Sequence, residues 1–276
     1  MSDKQYQAIS FEEKDHIGII TMNQPERRNA LSPEMRQDFA ELIPTLQYDT
    51  GLGAIILRGA EGVFCAGGDL KALAAGLDNR NTLDDRQRFY RYHDWFQKLL
   101  NIEIPVIAAV DGAAYGAGFS MALSADFILC SSRAKLCCVF PRIGLVPDVG
   151  AFFTLPRMVG LQKAKEIMFT GRPLGAIEAK ALGIAMEVHE TDDLMNAAME
   201  LAERLCKAST PAIGATKRIL NQSFNLDANA LIEMEAAAQA VCLSSDYHSD
   251  AIRGFLDKEP MAYDWERMDR EAEKGS

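Results

Sequence analysis

Two glycine-rich turns are the first candidates for chemistry in this sequence, because each joins a predicted strand to a predicted helix. They span residues 64–71 and 111–119. At Gly68 and in the run 116–118 the residues are small, so a ligand oxygen could reach the main chain without meeting a bulky side chain. Converging N–H groups would stabilise an oxyanion there, and the start of a helix predicted over 116–125 would strengthen the attraction. Tight packing is the ordinary reason for such glycines, and neither turn has a nucleotide-binding glycine pattern.

A third turn, over residues 143–150, places Asp148 among apolar residues. An apolar setting raises the pKa of a carboxyl group and suits it to act as a base near neutral pH. The same pattern is also typical of a Pro-Asp turn in which Asp148 caps the next helix. The residues alone leave both interpretations open.

The histidines do not indicate a hydrolytic triad. They lie far apart in polar segments, with no serine or cysteine elbow beside them, and we predict that each is a surface residue. They are His16, His93, His189 and His248.

The composition is that of a folded protein that does not bind nucleic acid. Of its 276 residues, 48% are hydrophobic and 25% are charged, which excludes a disordered chain, and the net charge of −10 repels a phosphate backbone. The six cysteines have neither CxxC pairs nor a metal-ligand spacing, which predicts reduced thiols, no metal site and a cytoplasmic location. Residues 1–11 lack the pattern of a signal peptide, and the longest uncharged stretch has 14 residues, too few for a membrane span.

The elements that must position the three turns alternate between strands and helices in the first half of the chain. Segments 7–12 and 17–22 predict a β-hairpin, and Ser32 followed by Pro33 predicts the start of a helix. Later short apolar runs predict strands that are buried on both faces. These runs cover residues 54–58, 105–110, 126–130 and 135–140. Beyond residue 160 the pattern is almost wholly helical, so we predict an α/β core followed by a helical C-terminal part.

Four segments resemble, in order, the motifs of the crotonase (enoyl-CoA hydratase/isomerase) superfamily. They are residues 23–31, 64–70, 111–118 and 144–150, and the resemblance extends over about residues 5–260. It implies an α/β fold in which residues 1–195 form a crotonase-like spiral of ββα units. It also implies that residues 196–276 form a helical region that mediates trimerisation, giving a homotrimer or a dimer of trimers.

The resemblance implies an acyl-CoA substrate, with coenzyme A as part of that substrate and no separate cofactor. In this family two backbone N–H groups polarise the thioester carbonyl so that an enolate can form, and by motif position these belong to Gly68 and Ala117. Other residues resemble those that bind the CoA moiety, and the two nearest the C-terminus do so from a neighbouring subunit in some members. They are Arg27, Arg28, Ala30, Ala66, Asp69, Leu70, Phe255 and Lys258.

Two positions depart from the pattern of the hydratases. Hydratases of this family use two glutamates to activate water, whereas this sequence has Ser120 and Phe140 at those positions. Neither side chain is a base at neutral pH. Asp148 falls where some isomerases and a dehalogenase carry a catalytic aspartate, and segment 140–150 looks especially like the bacterial ring-epoxide (phenylacetyl-CoA pathway) isomerases. The resemblance therefore implies an enoyl-CoA isomerase with Asp148 as its acid and base.

Three alternatives stay open at this point. One is a 2-enoyl-CoA hydratase, the second is a dehalogenase or thioesterase that uses Asp148 as nucleophile, and the third is a CoA-binding scaffold without catalysis. The acyl group is also open, because several aromatic residues could line its pocket or could equally belong to the core. They are Tyr90, Trp95, Phe119, Phe140, Phe152 and Phe153.

Overall fold

The computed structural model describes residues 5–47, 49–77 and 81–275. Its strands, in chain order, are β1 (Ile9–Lys14), β2 (Ile17–Met22), β3 (Ala54–Gly59), β4 (Val106–Val110), β5 (Ala113–Tyr115), β6 (Phe127–Ser131), β7 (Lys135–Cys137), β8 (Pro173–Gly175) and β9 (Glu187–His189). Its helices are α1 (Pro33–Leu46), α2 (Leu70–Ala75), α3 (Thr82–Leu100), α4 (Ala117–Ala122), α5 (Ala151–Val159), α6 (Leu161–Thr170), α7 (Ala176–Ala181), α8 (Leu194–Leu205), α9 (Thr210–Gln222), α10 (Ala228–Leu243), α11 (Asp246–Leu256) and α12 (Trp265–Gly275). The fold is therefore α/β with a helical C-terminal region, as predicted.

β1 and β2 form the predicted antiparallel hairpin, with Lys14 paired to Ile17 at its closed end. The two turn residues, Asp15 and His16, have φ angles of 49° and 66°. Positive φ at both central residues gives a two-residue turn the twist that a hairpin needs. The sheet continues in the order β1-β2-β3-β4-β6-β9, and every pairing after the hairpin is parallel.

This sheet is buried on both faces because helices cover each side. Ile55 and Leu57 of β3 pack on one face with the apolar stripe of α1, and Ala54 and Ile56 pack on the other face with α8. Neighbouring residues of a strand point to opposite faces, which is why one apolar run supplies both layers. The predicted stripe of α1 is fully buried and consists of Met35, Phe39, Leu42, Ile43 and Leu46.

The resemblance implies that the helical C-terminal region begins after residue 195. That position lies inside α8, whose residues Ala198, Leu201 and Leu205 are buried against the sheet. α8 therefore belongs to the core by its packing, because without it this face of the sheet would be exposed. The helices that leave the core begin with α9, which is anchored by Lys217, whose Nζ is 2.7 Å from Oδ2 of Asp126.

A second, smaller sheet in the order β5-β7-β8 carries the turns that were singled out in the sequence. β5 pairs in parallel with β7, and a β-bridge between Cys65 and Ala114 attaches the first glycine turn to β5. The strand predicted over 135–140 ends at Cys137, since a 3-10 turn follows at Phe140–Ile143 and includes a proline, which has no N–H for strand pairing. The helix predicted over 116–125 is also shorter and is limited to α4.

The C-terminal helices leave a large apolar surface uncovered in a single chain. α10 is rich in apolar residues all round, yet none of its residues is buried, and Ile232 and Val241 are more than half exposed. A helix that is apolar on all sides is normally enclosed by other elements. Separately, none of the helices within the described ranges combines the length and the hydropathy that a membrane crossing requires.

Candidate active site

The main chains of the two glycine turns lie side by side. The N–H group of Tyr115 donates to the carbonyl oxygen of Cys65 at 2.9 Å. Gly67 has a φ of 100°, and a Cβ at this position would lie 2.6 Å from the oxygen of Tyr115 and 3.7 Å from the nitrogen of Ala117. Glycine is required for this approach, which brings the neighbouring Gly68 close to Ala117.

Two backbone donors at this point have no acceptor. Within the described part of the chain, neither the N–H group of Gly68 nor that of Ala117 donates a hydrogen bond. Ala117 is the first residue of α4, and the first N–H groups of a helix have no acceptor inside it. The preceding Gly116 donates to the oxygen of Cys137 at 2.8 Å, which holds the turn against β7. Both N–H groups are therefore free to donate to a ligand, as the donors of an oxyanion hole must be.

Asp148 supplies a half-buried carboxyl group with a raised pKa. Its Oδ1 atom is buried and has no hydrogen-bond partner among the described residues. Burial raises the pKa of Asp148 from its ordinary value of 3.8 to about 6, and the positive charge of Arg36 acts in the opposite direction. With such a pKa the group is largely ionised at pH 7 and can still carry a proton during turnover.

The structure does not support Asp148 as a helix cap. α5 has Gly150 at its N-cap position, and no side chain donates or accepts a capping hydrogen bond there. Only the main-chain oxygen of Asp148 meets the helix, where it accepts from the N–H of Ala151 at 3.2 Å. The carboxyl group is therefore not used to stabilise the start of α5.

The carboxyl group lies at the same end of the small sheet as the two free N–H groups. Burial raises the pKa of the Cys138 thiol to about 12, and the negative charge of Asp148 adds to this shift. The carboxyl group and the thiol are therefore close to each other. Cys138 directly follows β7, and β5 leads directly into Gly116 and Ala117. Because β5 and β7 are parallel neighbours, the segments that follow them start at one edge of the sheet.

The turn that carries Asp148 is pressed against α3. Gly150 has a φ of 73°, and a Cβ there would lie 2.1 Å from Cε1 of Phe96. Val149 has a φ of 47°, which β-branched residues rarely adopt. Such strain persists where the surroundings impose it. Packing on Phe96 therefore holds this turn in place.

Ser120 and Phe140 leave the site without a second carboxyl group at the two positions considered above. Ser120 is buried, and its hydroxyl donates to the main-chain oxygen of Gly116 at 3.3 Å. Phe140 is almost fully buried, and a Cβ at Gly116 would lie 3.8 Å from its Cζ atom. An aromatic ring thus stands beside the turn that holds Ala117.

Six of the predicted CoA-binding residues lie together next to the site. Nη1 of Arg27 is 3.3 Å from Oδ2 of Asp69, and the N–H of Ala66 donates to the oxygen of Arg28 at 3.0 Å. The other oxygen of Asp69 caps α2 by accepting from two backbone N–H groups at 2.9 and 3.2 Å. The set consists of Arg27, Arg28, Ala30, Ala66, Asp69 and Leu70. Its role in binding CoA stays a prediction.

Phe255 and Lys258 lie elsewhere in the single chain. Both are exposed, Phe255 at 67%, and α11 makes its main contact with α10. Their predicted role therefore depends on a neighbouring subunit.

One charged residue that acts on Asp148 escaped the sequence analysis. Arg36 lies on α1, where its periodicity indicates only a polar helix face, so nothing in the sequence connects its charge to Asp148. His93, which was predicted to be a surface residue, lies on the helix against which the turn of Asp148 packs. It is half-buried on α3, one turn before Phe96, and burial lowers its pKa.

The aromatic candidates for the acyl pocket separate by burial. Trp95 and Phe119 belong to the core, whereas Tyr90 and Phe152 are largely exposed. The ring of Phe140 lies beside the turn that holds Ala117. Among the described residues, no group of three or more His, Cys, Asp and Glu side chains is placed to hold a metal ion.

The chain is similar to known proteins over most of its length. Residues 12–266 match the protein family described as Enoyl-CoA hydratase/isomerase. The short-chain-enoyl-CoA hydratase of Clostridium acetobutylicum is 30% identical over 91% of this chain and 95% of its own length. The 1,2-epoxyphenylacetyl-CoA isomerase of Escherichia coli is 30% identical over 88% of this chain and 92% of its own length. The crystal structure of an enoyl-CoA hydratase/isomerase from Cupriavidus metallidurans CH34 is 39% identical, superimposes with a TM-score of 0.89, and is matched over 95% of this chain and 97% of that one.

Proposed function

Because the chain belongs to the enoyl-CoA hydratase/isomerase family, we propose that it is an acyl-CoA isomerase that converts a 3-enoyl-CoA, or a ring-derived acyl-CoA, by shifting a double bond. The observation that carries the choice of isomerisation is the single half-buried carboxyl group of Asp148. Positions 120 and 140 hold serine and phenylalanine instead of a second acid.

The reaction needs one group that removes a proton and returns it to another carbon. The Asp148 carboxylate takes the proton from C2, and the electrons of the broken C–H bond form the enolate of the thioester. The N–H groups of Gly68 and Ala117 hold the enolate oxygen, and one such donor typically contributes about 3 kcal/mol to transition-state stabilisation. The protonated Asp148 then delivers the proton to C4, so that the double bond stands between C2 and C3 and the carboxylate is restored.

The pKa of about 6 supports both halves of this cycle. A carboxyl group near its ordinary pKa of 3.8 would be a weak base toward a carbon acid, whereas the raised value increases its basicity while keeping it ionised at neutral pH. The side chains of Ser120 and Phe140 lack the carboxylates with which a hydratase would orient and activate water. Water addition therefore has fewer groups to support it than proton transfer within the substrate.

A 2-enoyl-CoA hydratase is the second candidate. The hydratase of Clostridium acetobutylicum and the isomerase of Escherichia coli are both 30% identical to this chain, so the identity to these two relatives does not favour either activity.

A substrate panel with matched variants tests the proposal. We expect turnover of 3-enoyl-CoA to the 2-enoyl-CoA product, and little hydration of crotonyl-CoA. Asp148→Asn is nearly isosteric and should lose most of the isomerase activity, whereas Ser120→Ala should retain it. Hydration of crotonyl-CoA at an enzymatic rate, or full activity of Asp148→Asn, would contradict the proposed reaction. Release of halide from a haloaryl-CoA or of free CoA would instead indicate the use of Asp148 as nucleophile.

We also propose that the functional unit is a homotrimer or a dimer of trimers. The uncovered apolar residues of α10 and the exposed Phe255 support this assembly, because a stable chain rarely leaves so much apolar surface in water. Phe255 and Lys258 would then reach CoA bound to a neighbouring subunit. Light scattering coupled to gel filtration measures the mass, and a monomer would contradict the assembly.

The six cysteines are all free thiols, which supports the predicted cytoplasmic location.

A further inference from the structure

A cavity of about 480 Å³ lies between α1 and α3, and the proposed proton transfer does not use it. Its volume is typical of a site for a small organic group. Its walls combine apolar side chains with several polar and charged ones. The side chains that matter here are Pro33 and Arg36 of α1 and Asp84, Gln87, Arg91 and Trp95 of α3.

The cavity adjoins the reaction site at two points. Pro33 begins α1 only two residues after Leu31, and Leu31 forms a β-bridge with Gly68 of the hole. Arg36, on the next turn of α1, lies close enough to Asp148 for its charge to act on that carboxyl group. An acyl group whose carbonyl oxygen sits in the hole therefore has this cavity on the side of both the hole and the acid.

Two side chains of the cavity, one buried and one exposed, are hydrogen-bond donors that lack acceptors among the described residues. Trp95 is only 1% exposed, and its Nε1–H has no partner among the described residues. A buried donor without an acceptor is uncommon in folded proteins. Arg91 lies one turn earlier on the same face of α3 and forms no ion pair or hydrogen bond within the described ranges. Both side chains can only donate, so the missing partner must supply acceptor oxygens.

The charge in the cavity selects the kind of acceptor. Arg91 and Trp95 are about 6 Å apart along the helix axis, so one ligand group can meet both. Asp84 is the acidic side chain of the lining, but it stands about 10 Å from Arg91 along α3, toward the exposed end of the helix. The end of the cavity beside Arg91 and Trp95 therefore has a positive potential, which favours a carboxylate over a neutral oxygen.

We propose that this cavity receives the distal end of the acyl group and that this end carries a carboxylate. The substrate class would then be an acyl-CoA with a terminal carboxyl group, bound by the Arg91 guanidinium and the Trp95 N–H. This inference rests on the proposed function, since it requires the thioester to occupy the hole formed by Gly68 and Ala117. An acyl chain that ends in a methyl group would leave both donors without acceptors.

Binding of saturated acyl-CoAs tests the inference without turnover, because these compounds have no double bond to move. Calorimetry would compare butanoyl- to octanoyl-CoA with the acyl-CoA of the same chain length that ends in a carboxylate. We expect at least tenfold tighter binding of the carboxylate member for at least one chain length. Arg91→Gln should abolish this preference, and because Arg91 is exposed the variant is expected to fold. Arg86→Gln is the matched control, since Arg86 is also exposed on α3 but bonds to Tyr90 and lies outside the cavity.

The outcomes separate this inference from the proposed reaction. If no chain length shows the preference, or if Arg91→Gln and Arg86→Gln reduce it equally, the cavity does not bind a terminal carboxylate and the inference is rejected. If the preference is present and lost only in Arg91→Gln, the inference holds, even when the activity found with the corresponding unsaturated substrates is hydration. Absence of isomerisation in that case would reject only the proposed reaction.

Discussion

Asp148 is expected to weaken the folded protein at neutral pH, and Asp148→Asn should therefore stabilise it. The folded state raises the pKa of this carboxyl group from 3.8 to about 6, so the folded protein holds a proton that the unfolded chain has already released. Stability therefore falls as the pH rises from about 4 to about 6, and the full penalty is present above pH 6. The upper value of this penalty is about 3 kcal/mol.

The size of the effect follows from the partial burial of the group. Because Asp148 is half-buried, solvent screens part of its charge, and we expect about 2 kcal/mol at pH 7.5. For a chain of this length that corresponds to a rise in Tm of roughly 4 to 8 °C. At pH 4 the aspartate of the folded protein is protonated and, like the amide of asparagine, carries no charge. The gain in stability should therefore vanish at that pH.

The assay is thermal unfolding of the wild type and of Asp148→Asn at pH 4, 5, 6 and 7.5, together with turnover of 3-enoyl-CoA. Asp111→Asn is the control of opposite sign, since the hydrogen bonds from Arg133 hold the pKa of Asp111 below its ordinary value. That variant should lose stability at pH 7.5 and lose less as the pH falls. An unchanged or lower Tm of Asp148→Asn at pH 7.5 would refute the argument that burial raises the pKa of Asp148.

Three further perturbations test other parts of the structure. Ala117→Val adds two methyl groups beside the N–H of Ala117 and should lower kcat on 3-enoyl-CoA by roughly tenfold to a thousandfold; because Ala117 is buried, Tm should fall as well, and unchanged turnover would contradict the role of this N–H. Gly150→Ala adds a Cβ 2.1 Å from an aromatic carbon of Phe96 at a φ of 73°, so the free energy of unfolding should fall by about 1 to 3 kcal/mol and kcat should fall as well. An unchanged Tm would argue against the tight packing of this turn. Lys217→Met leaves the carboxylate of Asp126 without its buried partner and should lower the free energy of unfolding, measured by chemical denaturation, by about 3 kcal/mol. Arg218→Met removes an exposed ion pair and should cost less than about 1 kcal/mol, and equal losses would show that the buried pair stabilises the fold no more than the exposed one.

Local chemistry explains which elements could be predicted. The helix that starts after Ser32 was expected from its cap and its apolar stripe, and in the structure the Ser32 Oγ accepts from the N–H of Met35 at 3.1 Å. The hairpin followed from two apolar runs and a short turn. In both cases the deciding interactions join residues that are close in the chain, so the sequence contains them directly.

The pairing of Gly68 with Ala117 is a different case. The sequence supplied two glycine turns and a resemblance of their motifs, but only the contact between Gly67 and Tyr115 brings the two N–H groups together. The residues alone left tight packing equally open. A contact between segments far apart in the chain was needed to show that the two turns lie side by side.

The amino-acid sequence by itself determined the α/β class, the helical C-terminal region and the residue types available for chemistry, because these depend on periodicity and on neighbours along the chain. Only the tertiary structure decided that α8 packs on the sheet and that Asp148 is not a helix cap. It also decided that the charge of Arg36 acts on Asp148 and that His93 is half-buried on α3, the helix against which the turn of Asp148 packs. The physical reason is that burial and charge act through space. The pKa of Asp148 depends on groups contributed by α1 and by the segments after β7, and no local pattern records which of them will meet.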